Sequence, residues 1–194
     1  VLMACSSDNL VDPSKENLSF LGFDDKISVE MVVEGDYLYV CAATDGLWRK
    51  NININTSWEY LGLADSNLHN YPNRGLGVRD VDVNNNDIIV AFNGAAPNVN
   101  PESTIGILRS TNSGISWFRS DRGIPESLIT KAECNILTSI NRSPHKSNII
   151  LSSISPIVYR STDNGLNWKI SYGERGFTLN YGNLKWNPYK EGEV

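Results

Sequence analysis

The sequence predicts an all-β fold, a β-propeller of four-stranded antiparallel blades with about three and a half blades present (a partial propeller), and three observations predict it. The first is self-similarity. Trp58, Trp117 and Trp168 recur at intervals of 59 and 51 residues, and each follows an apolar run ending in Arg49, Arg109 or Arg160. Repetition at roughly 40–50 residues is what stacked blades produce. The second is period-2 alternation of β-branched and aromatic residues with polar ones, the pattern of half-buried strands. The third is turn chemistry: Ser110-Thr111-Asn112-Ser113-Gly114 and Ser161-Thr162-Asp163-Asn164-Gly165 interrupt the runs with residues that bond their own backbone or accept a positive φ.

In chain order, residues 1–20 read as a lipobox remnant and flexible tether. Leu2-Met3-Ala4-Cys5 resembles a bacterial lipobox, which implies lipidation at Cys5 after removal of an apolar signal segment; a chance Cys in a polar terminus is the alternative. Residues 21–194 read as the partial propeller, with blades at about 27–62, 78–120 and 134–172 and the start of a fourth at 181–194. The expected strands are Ile27–Val33, Tyr37–Ala42, Leu47–Lys50 and Trp58–Leu61 in blade one, and Val78–Val83, Ile88–Phe92, Ile105–Ser110 and Trp117–Ser120 in blade two. Blade three takes Asn135–Asn141, Ile149–Ser153, Val158–Ser161 and Trp168–Tyr172, and Tyr181–Asn187 begins the fourth. Closed rings use roughly four to eight blades, so the chain reads as a fragment of a larger protein.

The eight-residue turns from Ser110 to Trp117 and from Ser161 to Trp168 resemble the Ser-x-Asp-x-Gly-x-x-Trp pattern of the BNR or Asp-box repeat family, with Asn112 replacing Asp in the first. The segment from Asn51 to Trp58 keeps only the flanks of the motif. Physically the box is a hairpin staple. Its Asp or Asn (Asn112, Asp163) accepts backbone N–H bonds, its Gly (Gly114, Gly165) takes a positive φ, Ser110 and Ser161 open the turns, and Trp117 and Trp168 pack back across the blade. The resemblance implies that these turns join third and fourth strands on the face away from the ligand site, so their role is structural.

Composition excludes several classes of function. With 40% hydrophobic and 20% charged residues the chain is ordinary for a folded globular protein, and no segment approaches the roughly 18 apolar residues that span a bilayer, so any membrane attachment would run through the lipid at Cys5. Seventeen basic against 22 acidic residues give a net charge of −5 with no basic stripe, so nucleic acid is not an expected partner. Two His and no clustered Cys or carboxylates predict no metal centre, and no phosphate loop or nucleophile elbow predicts a cofactor. Cys41 and Cys134 read as small buried thiols rather than a disulfide.

The face to search is opposite the boxes, where three long connections gather: Gly62–Gly77, Asn93–Thr104 and Arg119–Glu133. They and the strand starts beside them carry Asp65, His69, Tyr71, Arg74, Arg79, Asp80, Asp121, Arg122 and Glu126, of which His69, Tyr71, Arg74, Asp80 and Arg122 form the candidate ligand face. The family resemblance implies three functional readings. The first is a cell-envelope or secreted propeller that binds a glycan or protein, or acts as scaffold, without catalysis. The second is part of a sialidase-like or xyloglucanase-like glycoside hydrolase, which needs two polar groups flanking the scissile bond. Thr44-Asp45-Gly46-Leu47-Trp48 resembles the Thr-Asp-x-Gly-Gly stretch of the xyloglucan group and makes Asp45 the candidate carboxylate, whereas Arg122-Gly123-Ile124-Pro125 breaks the Arg-Ile-Pro element of sialidases. The third is a sortilin-like or photosystem-assembly-like propeller that recognises peptide.

Overall fold

The computed structural model describes residues 22–23, 26, 28–64, 77–93, 105–125, 137–154, 157–172 and 184–191. Twelve strands form three four-stranded antiparallel meanders. Blade one is β1 (Glu30–Glu34), β2 (Tyr37–Cys41), β3 (Leu47–Asn51) and β4 (Glu59–Gly62). Blade two is β5 (Gly77–Asn84), β6 (Asp87–Asn93), β7 (Ile105–Ser110) and β8 (Phe118–Arg119). Blade three is β9 (Leu137–Arg142), β10 (Ile150–Ile154), β11 (Ile157–Ser161) and β12 (Lys169–Tyr172). These strands lie where the alternation puts them, with ends displaced by at most three residues.

Each second strand is covered on both faces, so β6 and β10 are buried almost throughout rather than alternately, with Ile88–Phe92 apolar in β6 and the small Ser152 and Ser153 buried among the Ile and Leu of β10. In β6, Ile88 and Val90 turn toward blade one and join Tyr39, Cys41, Leu47 and Leu61 in one core cluster. Ile89 and Ala91 turn the other way and join Ile140, Ile150, Tyr159 and Trp168 in a second. The cores therefore lie between blades. Ile88, Ile89 and Ile150 are fully buried, and each such side chain contributes about 1.5–3 kcal/mol relative to exposure. First strands neighbour one another, β5 lying against both β1 and β9.

Polar side chains also cross the gap between blades two and three. Asp82 on β5 accepts the Arg142 backbone N–H at 2.9 Å and its Nε at 2.7 Å, and Arg142 Nη2 reaches Asp87 at 3.1 Å. Asp87 in turn receives a two-pronged bond from Arg109, at 2.6 and 3.1 Å. Arg142 and Arg109 are largely buried, and their shared carboxylates satisfy them.

One expectation is corrected. The described part of the anticipated fourth-blade strand, 184–187, forms no strand. It has no second strand to pair with among the described residues, and instead Leu184 N donates to Ser139 Oγ at 3.3 Å and Trp186 Nε1 to the Asn141 carbonyl at 3.1 Å. Arg49, Arg109 and Arg160 recur on β3, β7 and β11, each in its own environment: Arg49 pairs with Glu59 at 2.7 Å within blade one, Arg109 is buried on Asp87, and Arg160 is exposed. Cys41 is a buried free thiol, its pKa pushed well up by burial; Cys5 and Cys134 lie outside the described residues.

Candidate functional site

The box turns have the internal geometry their residue types demand. In blade three, Ser161 Oγ accepts the Gly165 N–H at 2.8 Å and donates to Asp163 Oδ1 at 2.8 Å, while Asp163 accepts the Asn167 backbone N–H at 2.9 Å and its side-chain amide at 2.7 Å. Burial alone pushes the Asp163 carboxyl up, but the bonds from Asn167 and Ser161 outweigh it and hold the pKa below the ordinary value. In blade two, Asn112 replaces one carboxylate oxygen with a donor. Its Oδ1 still accepts from Ser110 Oγ at 2.9 Å and Ser116 N at 3.0 Å, and its Nδ2 donates to Ser116 Oγ at 2.9 Å. Gly114 N donates to Ser110 Oγ at 2.8 Å, matching Gly165.

The Trp residues do something the sequence reading missed. Trp168 shares a core cluster with Ile150 and Tyr159 of its own blade, and both Trp side chains also reach the end of the preceding blade's outer strand. Trp117 Nε1 donates to the Leu61 carbonyl at 2.9 Å, and Trp168 Nε1 donates to the Ser120 carbonyl at 2.6 Å and to Gly165 O at 3.0 Å. Ser120 Oγ answers by donating to Gly165 O at 2.7 Å. Period and spacing identify a Trp that must be buried; they carry no information about which blade buries it. In blade one, Asn51 takes over turn closure, its Oδ1 accepting from Asn53 N at 2.9 Å and Ile54 N at 3.2 Å.

On the opposite face, Asp45 sits in the turn from β2 to β3. Its N–H donates to the Ala42 carbonyl at 2.9 Å, and its own carbonyl accepts Trp48 Nε1 at 2.8 Å. The same turn is tied to blade two through the Val78 N–H, which donates to the Ala43 carbonyl at 2.9 Å. Asp45 is therefore held rigidly and half-buried. Arg79 is half-buried on β5.

Asp80 is not a surface residue. It lies within β5 at 3% exposure, its Oδ2 accepting the Ile140 N–H across the blade gap at 2.8 Å and its Oδ1 the Val81 N–H at 2.8 Å. Burial pushes its pKa up to about 7, the amide bonds opposing and the neighbouring Glu30 reinforcing the rise. A carboxylate inside an apolar strand was the sequence signal for this role, and the same signal applies to Asp82. Arg122 is exposed, but its carbonyl accepts the Trp168 N–H at 2.8 Å, which puts it beside the blade-three box and not on the face opposite. Asp121 is buried and pairs with Arg119 at 2.8 Å. His69, Tyr71 and Arg74, with Asp65 and Glu126, lie outside the described residues. His145 is on the turn from β9 to β10, the box side of the blade, with Nε2 3.3 Å from the Asn187 carbonyl.

Of the candidate ligand face, then, Asp80 and Arg122 are drawn into packing between blades, while the separate candidate carboxylate Asp45 stands in the turn from β2 to β3. Among the described residues no group of His, Cys, Asp and Glu could hold a metal ion, and no helix is long and apolar enough to cross a membrane.

No family model matches the chain, and no curated protein does. Solved structures do resemble it. The GH74 enzyme of Niastella koreensis aligns with a TM-score of 0.54 at 20% identity over 79% of this chain, and an ancestral GH74 enzyme aligns with a TM-score of 0.51 at 19% identity over 74%. An extracellular domain of B. thetaiotaomicron assigned to a one-component system aligns at 0.50 with 13% identity over 82%. The chain spans 22%, 18% and 19% of those three chains, about a fifth of each. At these identities the likeness is one of fold, and with the antiparallel four-stranded sheets it makes the chain a partial β-propeller.

Proposed function

We propose that the chain is a segment of an Asp-box β-propeller, outside the cytoplasm and either secreted or held at the cell envelope through Cys5, which binds a glycan or protein ligand or serves as scaffold without catalysis. The observation that carries this reading is how the polar side chains are spent. Ser110, Asn112, Ser161 and Asp163 close turns, Asp80 and Asp82 join blades two and three, and Asp87 anchors Arg109 and Arg142. What remains for a ligand is the end of the blades bearing Asp45 and the long connections, the usual place for recognition on a rigid scaffold. The fold shared with an extracellular domain supports the location.

The likeness to GH74 enzymes favours a second reading, glycoside hydrolysis with Asp45 as one of two carboxylates. Asp80, whose raised pKa suits an acid, is no partner for it, because both its oxygens are occupied by backbone N–H groups and it is 3% exposed. The test is a panel of sialosides, β-glucans and peptides presented to the chain as arrays and, in parallel, as hydrolysis substrates, with Asp45→Ala alongside. Retention on a glycan or peptide without sugar release supports the binding reading. Sugar release abolished in Asp45→Ala overturns it in favour of the hydrolase.

A further inference from the structure

The turns on the box side of the three blades gather into one end of the molecule. In each blade the turn between third and fourth strands bonds the turn between first and second: the Ile52 N–H donates to the Asp36 carbonyl at 2.9 Å, and Ser113 to Asn86 and Asn164 to Asn148 at 3.0 Å. Neighbouring blades meet there too, with the Asn85 N–H 3.5 Å from Glu34 Oε1 and Arg142 Nη1 3.4 Å from Asn164 Oδ1. The last described turn joins the same end, because His145 Nε2 lies 3.3 Å from the Asn187 carbonyl and Lys146 pairs with Glu191.

That end is apolar at its tips. Ile54, Ile115 and Leu166, one on the third-to-fourth turn of each blade, are 59%, 85% and 49% exposed, and Tyr189 on the last turn is 95% exposed. In blades two and three the exposed residue follows the box glycine, the position whose side chain neither the turn nor the blade gap uses. Lys50, Lys146 and Lys190 are offset by Glu34, Asp36, Asp163 and Glu191, so the end carries no basic patch. The described chain also enters blade one from this side. The Phe23 ring lies 4.5 Å from that of Trp58, which follows the blade-one turn, and 6.1 Å from that of Trp48. Lys26 Nζ lies 5.1 Å over Trp48, whose Nε1 bonds the Asp45 carbonyl toward the other end. Eighteen residue steps separate Phe23 from Cys5, a reach of at most about 65 Å.

We propose that the box end lies against a lipid surface, with Ile54, Ile115, Leu166 and Tyr189 seated at headgroup level and the Asp45 end turned away from the bilayer. This rests on the reading that Cys5 carries an acyl anchor. Aliphatic tips accompanied by a tyrosine are side chains that partition to the membrane interface, and the absence of a basic patch makes zwitterionic phospholipid the partner. Isolated tips bind weakly by themselves. A tether of this length holds them at an effective lipid concentration in roughly the millimolar range, so the contact follows from anchoring and is missing from the free chain. The long connections then face the medium, where a soluble glycan or protein can reach them.

The test couples Cys5 of the chain, carrying Cys134→Ser and with Cys41 buried, to a maleimide phospholipid in phosphatidylcholine vesicles that also hold a lipid with a diazirine near its headgroup. After irradiation, mass spectrometry reads which residues carry lipid. The expected adducts fall within 52–56, 113–116, 164–167 and 187–191, about fivefold or more above those on uncoupled chain mixed with the same vesicles. Combining Ile54→Ser, Ile115→Ser and Leu166→Ser should reduce them by about threefold or more. Adducts concentrated elsewhere, box-end adducts no higher than on uncoupled chain, or adducts unchanged in the triple variant overturn the proposal. The mass of the Cys5 peptide from the protein made by its own cell separates anchor from orientation. An unacylated Cys5 overturns the anchoring reading and the proposal with it, whereas an acylated Cys5 without box-end adducts overturns the orientation alone. Near-UV circular dichroism of the triple variant against the parent confirms that the adducts are read on folded protein.

Discussion

Replacing Asp80 with Asn is expected to change how stability depends on pH, in a direction fixed by burial. In the folded chain the carboxyl is pushed from an ordinary 3.8 to about 7, chiefly by burial. At 1.36 kcal/mol per pH unit, keeping it ionised in the fold costs about 4 kcal/mol. The sign follows from proton binding. Below about pH 4 both states are protonated and the cost is absent; between about pH 4 and 7 only the unfolded chain ionises, so stability falls as pH rises; above about pH 7 the loss is complete and constant. Asn cannot ionise and lacks this dependence. Its amide group does face one of the two N–H donors with another donor, a pH-independent cost of about 1–2 kcal/mol. Between pH 5 and 8 the stability difference should therefore move by about 3 kcal/mol in favour of Asp80→Asn. Urea unfolding followed by Trp fluorescence at the two pH values measures it. Parallel pH profiles, or wild type gaining on the variant as pH rises, would show that Asp80 is ionised in the fold at neutral pH and that the two amide bonds outweigh burial.

Three further outcomes test the interblade plan. Trp168→Phe should lose about 2–4 kcal/mol, because it leaves the buried Ser120 carbonyl without its donor and opens a cavity; Trp117→Phe should lose less, its ring being only partly buried, and thermal melts compare them. Gly123→Ala should cost about 3 kcal/mol or more, since a Cβ collides with the Trp168 carbonyl, while Gly35→Ala, also at positive φ but with open space around it, should cost about 1 kcal/mol; similar losses in chemical denaturation would contradict that contact. Arg142→Met should cost about 3–5 kcal/mol by stranding Asp82 and leaving Asp87 with one cation, and amide exchange should then quicken first at β9.

The strands were legible because a blade imposes the same demand on every repeat: a second strand of apolar or small residues buried on both faces, alternation on its neighbours, and a turn needing a positive φ. Ile105–Ser110 falls where alternation and the turn chemistry after it put it. What the sequence could not convey was partnership. Asp80 and Asp82 are two residues apart and so share a face, but alternation does not say whether that face meets water or another blade. Here it meets β9, and a residue that looked available for a ligand is an acceptor for Ile140. Arg122 was misplaced for a related reason. A polar residue in a long connection reads as free, and only the backbone bond from Trp168 shows that the connection begins by strapping the neighbouring blade.

The same reasoning reassigns what the box motif measures. Its Ser and Asp are consumed inside the turn, but its Gly and Trp are consumed by the preceding blade: Gly165 O by Ser120 Oγ, Trp168 Nε1 by the Ser120 carbonyl, and Trp117 Nε1 by the Leu61 carbonyl. A box therefore reports that a blade stands before it. Blade one has lost the box but kept Trp58, whose ring lies 4.5 Å from that of Phe23. It follows that box residues can hold no ligand without loosening a blade gap. On the binding reading proposed above, specificity falls to the connections at the other end, where Asp45 is the one candidate carboxylate among the described residues that a rigid turn both fixes and leaves half-exposed.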